Sequence, residues 1–174
     1  MAIYFPNSEL GEVCGETWRI TSTFTGDNNI VGGNGNTNWE KSDDVYGGSS
    51  LDSGSILSES NGVFTFGADF YGWYFLNWQH YCYMGNSYSR WNEMTLHVSW
   101  NSGANYDNHG YAVSNIPNSS SSSSSGGGCA TSVVLATSAT RLRFDISVEN
   151  NNVITYGASD NTSTGFSIHK ISEP

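Results

Sequence analysis

Residues 61–84, NGVFTFGADFYGWYFLNWQHYCYM, constrain the fold most, because from Gly72 onward large side chains occupy both parities of one extended run. Successive side chains of a strand point to opposite faces, so a strand that covers one core needs only one apolar face. One set is Tyr74, Leu76, Trp78 and Cys82; the other is Trp73, Phe75, Asn77, Gln79, Tyr81 and Tyr83. With the first set in a core, four aromatics of the second face outward, and each can bury roughly 150–250 Å². Their sum exceeds the roughly 300–600 Å² that the largest apolar patch of a monomer occupies. The expectation is that copies of the same chain cover this second face, with Trp73, Phe75, Asn77, Gln79 and Tyr81 at the oligomer interface. Burial of both faces inside one chain, beneath its long loops, is the competing reading.

Period-two patterning recurs elsewhere, and no helical period is sustained over two turns. WRITSTF sets Trp18, Ile20 and Phe24 on one side, and MTLHVSW sets Met94, Leu96, Val98 and Trp100 opposite Thr95, His97 and Ser99. RLRFDISV alternates Leu142, Phe144, Ile146 and Val148 with Arg141, Arg143, Asp145 and Ser147. Many short strands between Gly, Asn and Ser turns predict an all-β chain: an antiparallel β-sandwich or jelly roll. Its core is expected to hold Tyr74, Leu76, Trp78, Leu142, Phe144, Ile146 and Phe166. Residues 1–16 read as an N-terminal arm and 17–174 as a single jelly-roll domain. The tract NSSSSSSSGGGC, 118–129, reads as a flexible surface loop between two strands.

Composition excludes several functions. Six Lys and Arg against sixteen Asp and Glu give a net charge of −10, so no basic strip exists to neutralise phosphates, and nucleic acid is not an expected partner. The first ten residues, MAIYFPNSEL, lack the charged and apolar regions of a secretory signal. No apolar run reaches membrane-spanning length, so no membrane insertion is expected. Three widely spaced cysteines, Cys14, Cys82 and Cys129, fit neither a disulfide framework nor a zinc site. Cys82 reads as a small buried hydrophobe.

Candidate chemistry is sparse. Asp107 and His109 in YDNHG could share a metal, but in a glycine-flanked loop simple solvation is the favoured reading. GDNN and SDD lack the spacing of a calcium loop, and GGNGN has no following Lys or helix with which to hold phosphate. His80 and His97 fall on strands and read as packed or rim residues. No nucleophile stands near a base, so no enzymatic activity, metal or cofactor is expected. Trp39, Tyr88, Trp91 and Tyr106 lie in or beside loops, where they either anchor the loop or stack on a carbohydrate. The N-x-S/T matches at Asn118 and Asn161 carry no weight without a secretory route.

The order of these features resembles a known family. NGVFTF, then GWYFLNW, then VVLATSATRLRFDISV, and finally NTSTGFSIHKI are similar to the trimeric jelly rolls of the tumour necrosis factor and complement C-one-q globular-head superfamily. The resemblance spans about Trp18 to Ile171 and implies a TNF-like homotrimer. It implies that Tyr74 is the family's core tyrosine and that Phe75 and Asn77 line the threefold interface. Two departures stand out: Ser163 where the family often carries an axial aromatic, and TSAT at 137–140 where it carries a K-G-D turn.

The expected function is structural: a phage or virus capsid-decoration (cement) or knob protein on the virion surface. It would trimerise and attach to capsid or tail proteins through the arm, with Tyr4, Phe5 and Leu10 as apolar anchors. One alternative is a receptor-binding tail-fibre head that recognises a host glycan or protein. Another is a secreted cytokine-like or lectin-like ligand.

Overall fold

The computed structural model describes residues 15–28, 30–33, 39–42, 55–85, 88–117, 123–157 and 164–174. Period-two patterning becomes strand: β1 (Gly15–Ile20), β2 (Phe24–Thr25), β3 (Trp39–Lys41), β4 (Leu57–Ser60), β5 (Val63–Phe66) and β6 (Gly72–Gly85). There follow β7 (Ser89–Ser99), β8 (Asp107–Ile116), β9 (Ser123–Ala136), β10 (Arg141–Val148), β11 (Ile154–Thr155) and β12 (Gly165–Ser172). The first sheet runs β2-β11-β6-β12-β1-β3, with β9 on the other edge of β6; the second runs β4-β5-β10-β7-β8. All of these pairings are antiparallel.

The alternating strands bury one parity between the sheets. Tyr74, Leu76 and Trp78 of β6, Leu142, Phe144 and Ile146 of β10, and Phe166 of β12 are all buried. Phe64 of β5 packs edge-on against the rings of Trp18, Trp39, Phe144 and Phe166, at centroid distances of 4.8–6.3 Å. Edge-to-face contacts of this kind suit the aromatic quadrupole and hold the sheets in one relative position. The Trp78 indole nitrogen, carried into this core, donates to the Met94 carbonyl at 3.0 Å, so its polar atom is not orphaned.

The serine-glycine tract corrects the expectation of a loop over 118–129. Residues 123–129 are the first half of β9, paired in unbroken register from Gly85↔Ser123 to Gly72↔Ala136. The long edge of β6 presents a row of backbone donors and acceptors that another strand satisfies best. Glycine is there for a packing reason. A Cβ at Gly126 would lie 2.2 Å from the Asn115 carbonyl oxygen, and one at Gly128 would lie 2.4 Å from that of Val113. Strand β8 of the second sheet thus lies against the backbone of β9 and closes that side of the sandwich, which side chains at 126 and 128 would prevent.

The arm boundary also moves. Gly15 and Glu16, placed in an arm over 1–16, begin β1 opposite His169 and Ile168. Glu16 is buried. Its carboxylate accepts from Ser55 Oγ (3.1 Å), the Ile56 and Leu57 amides (2.6 and 3.2 Å) and Trp18 Nε1 (3.0 Å), and pairs with Lys41 Nζ at 2.9 Å. One side chain therefore ties β1 of the first sheet to the start of β4 in the second. Tyr4, Phe5 and Leu10 lie outside the described residues.

On β7 the expected parity holds for Met94, Leu96 and Val98, whereas Trp100 lies beyond the strand end, 44% exposed. The opposite parity is covered as well: Thr95, His97 and Ser99 are buried. Ser99 Oγ accepts from the Gly103 amide at 2.9 Å, which draws the following loop back over the strand end.

Candidate interaction face

Strand β6 pairs along both edges, so its outward side chains form the middle of a continuous surface. Its burial alternates strictly from Gly72 to Cys82, and Trp73, Phe75 and Tyr81 are 40%, 38% and 38% exposed. Asn77 and Gln79, also exposed, stand between them. All five residues expected at an oligomer interface therefore share one face. Register adds neighbours that the sequence reading did not include: Leu135 beside Trp73, Val133 beside Phe75, and Thr131 and Cys129 beside Asn77 and Gln79. On the other edge His169 stands beside Phe75 and Ser167 beside Asn77. Tyr156 meets Tyr81 and Tyr83 edge-on at 6.0 and 6.3 Å. Only pairing across the sheet supplies these neighbours, and no local motif signals them.

The chemistry of this face departs from that of the chain. Across its strands the register sets Thr25, Ile154, the outward parity of β6 and β9, and then Gly165, Ser167, His169, Thr17 and Arg19 on the outside. The carboxylate among these described outward positions is Glu40 at the far edge, paired with Arg19 at 3.4 Å. In a chain of net charge −10, no described acidic residue therefore lies at the centre of this aromatic face.

The outer face of the second sheet is different. His97 Nε2 lies 2.6 Å from Asp145 Oδ2. Arg143 sits over the ring of Tyr106 at 4.2 Å. Burial, reinforced by the charge of Asp145, raises the carboxyl of Glu93 above its ordinary range. The sequence reading missed the His97–Asp145 pair, because 48 positions separate its members and only the β7–β10 register brings them together. His97 Nδ1, Asp145 Oδ1 and Arg143 Nε are buried without hydrogen-bond partners.

The remaining candidates separate clearly. Trp39 is buried and donates Nε1 to the Val31 carbonyl at 2.7 Å, so it is a core anchor and not a sugar platform. Tyr106 is engaged with Arg143, while Tyr88 and Trp91 are exposed. Asp107 and His109 lie at the start of β8; His109 is within 3.2 Å of the Val133 carbonyl and packs edge-on against Trp100. Among the described residues, no group of three metal-ligating side chains converges. Asp27 of GDNN accepts from the Val148 amide at 2.7 Å, a structural use. Asn118, Asn161 and Ser163 lie outside the described residues.

His80 faces inward and is buried, with Nε2 3.0 Å from Thr155 Oγ1. Burial lowers its pKa from 6.5 to about 4. The folded chain thus holds His80 neutral where the unfolded chain protonates it. Stability should be complete above pH 6.5 and fall as pH drops towards 4, by about 3 kcal/mol from this group. Urea unfolding from pH 7.5 to 4 should show the fall, and His80→Gln should flatten the curve in that window. Equal slopes in the two proteins would place the neutral imidazole elsewhere.

By sequence the chain matches no family model and no curated protein. The fold nevertheless defines a class: an all-β, antiparallel, TNF-like jelly roll. Among solved structures it is similar to Eiger TNF from S. frugiperda, with a TM-score of 0.60 and 10% identity over 94% of this chain and 96% of that one. It is also similar to murine APRIL at pH 5.0, with a TM-score of 0.52 and 10% identity over 91% of this chain and 100% of that one. At such identity the likeness concerns the fold alone.

Proposed function

We propose that the protein is a self-associating, homotrimeric jelly-roll module that acts by macromolecular contact and not by catalysis. The observation that carries this reading is the outer face of β6, β9 and β12, aromatic, fully paired at its centre and, among the described residues, free of carboxylates there in an acidic chain. Closed cyclic symmetry is the usual outcome for contacts between identical chains, with heterologous contacts closing into rings, and three copies suit the TNF-like fold. Sedimentation or native mass measurement tests it: the wild type should run at three chain masses and Phe75→Asp at one, with far-UV circular dichroism unchanged. A wild type at one chain mass throughout the micromolar range removes the proposal.

For the use of this assembly we keep the virion-surface reading, in which residues N-terminal to β1 attach the trimer to a capsid or tail protein, with Tyr4, Phe5 and Leu10 as anchors. The second reading is a cytokine-like ligand, favoured by the fold shared with Eiger TNF and APRIL. Host-glycan recognition through exposed Tyr88 and Trp91 belongs to either. Immunolabelling of purified particles separates the two: many copies per particle support decoration, and the absence of any particle supports the ligand.

A further inference from the structure

Three consecutive glycines in β9 have different reasons to be glycine. Gly126 and Gly128 point toward β8, where backbone atoms block a Cβ. Gly127 points the other way, onto the outer face opposite Tyr81. A Cβ built there meets nothing nearer than the His80 carbonyl at 3.6 Å and a Tyr81 ring carbon at 3.7 Å, which are ordinary contacts. Its φ does not lie in the left-handed region. Nothing inside the described chain requires the missing side chain, although glycine weakens a strand interior through lost packing and greater unfolded-state entropy. Gly127 lies instead in a shallow, wide-open hollow of about 410 Å³ lined by Gln79, His80, Tyr81, Gly127, Gly128 and Cys129.

We infer that this hollow is the socket of the self-association contact and that an aromatic side chain from the same face of a second copy fills it. The inference rests on the self-association reading above and adds where, on that face, the copies interlock. The occupant follows from the surroundings. The hollow opens on a surface with no described carboxylate at its centre, beside exposed Tyr81 and on the strand that carries exposed Phe75 and Trp73. A second copy supplies rings of the right size without adding charge. Glycine in a strand interior is also a recognised sign of close approach by another group.

Cys129 reports on the site directly. It is an exposed free thiol on the rim of the hollow, whereas Cys82 is buried, and burial raises the Cys82 pKa, which leaves it less thiolate to react. In the full chain with Cys14→Ser, modification by a water-soluble maleimide should be slow at Cys129 when the protein is assembled. It should be at least about tenfold faster in the Phe75→Asp monomer, since the rate scales with the fraction of chains whose socket is open. Gly127→Leu, which the monomer has room to fold with, should remove assembly and leave the unfolding midpoint within a few degrees.

The outcomes are distinguishable. An assembled wild type whose Cys129 reacts as fast as in Phe75→Asp would overturn the socket while self-association stands. Protection that persists in the Phe75→Asp monomer would assign the hollow to something other than a second copy, which also overturns the inference. A wild type that never assembles would defeat the self-association reading itself. The thiol measurement needs no glycine variant, so a Gly127→Leu chain that fails to fold leaves the test intact.

Discussion

Glu16→Ala should lower the free energy of unfolding by about 3–5 kcal/mol, because it strips a buried carboxylate away from several buried donors. The carboxylate satisfies the Ile56 and Leu57 amides, the Trp18 indole and the Ser55 hydroxyl, and Lys41 completes the shell. Alanine would orphan several of these donors where water does not reach, and each buried unsatisfied donor costs about 1–3 kcal/mol. Glu16→Gln should recover only part of the loss. One of its two terminal atoms becomes a donor and faces donors already present. Lys41→Ala should cost less than about 1 kcal/mol, because the lysine is half exposed and screened. Urea unfolding of the three variants gives the order. A Glu16→Ala protein as stable as wild type would mean that the carboxylate does not tie the two sheets together.

Phe64→Ala should cost a comparable amount, about 3–5 kcal/mol, as for other large-to-small changes at buried aromatic positions. Phe64 lies wholly inside, on the short strand β5, with four rings around it supplied by both sheets. Strand β5 pairs with β4 on one edge and with β10 on the other, Phe64 standing opposite Leu142, so the backbone around the site is held in place and the space left by the ring does not close. The lost ring contacts and the cavity should therefore add. Phe64→Leu, which retains most of the volume, should cost less than half as much. Thermal unfolding followed in the near ultraviolet would read both the loss of stability and the loosening of Trp18 and Trp39. A change below about 1 kcal/mol for Phe64→Ala would show that neighbouring rings collapse into the space.

The site was legible where it depended on one strand and obscure where it depended on several. The alternation of 72–83 places Trp73, Phe75, Asn77, Gln79 and Tyr81 together, because a strand has only two faces and residue parity selects between them. Leu135, Val133 and Tyr156 joined that face through pairing, which period-two patterning does not encode. Composition misled at 123–129, where serine and glycine suggested a loop. The open edge of β6 and the close approach of β8 made that tract a strand. Trp39, in a turn-rich stretch, resembled a surface aromatic until the Val31 carbonyl and a ring of phenylalanines accounted for it. His97 and Asp145 carried no local signal, since sequence distance conceals a diagonal contact between adjacent strands.

By itself the sequence determined the all-β class, the inward residues of the long strands and the presence of one aromatic face beyond what a single core uses. These follow from backbone geometry, which repeats every two residues wherever the chain is extended. Tertiary structure alone decided that a glutamate near the start of the described chain joins two sheets, that glycines at 126 and 128 admit a neighbouring backbone, and that the glycine between them lies in a shallow hollow of the outer face. Each of those depends on which strands lie side by side. That arrangement is fixed by long-range pairing and packing across the whole sandwich, which no short window of residues contains.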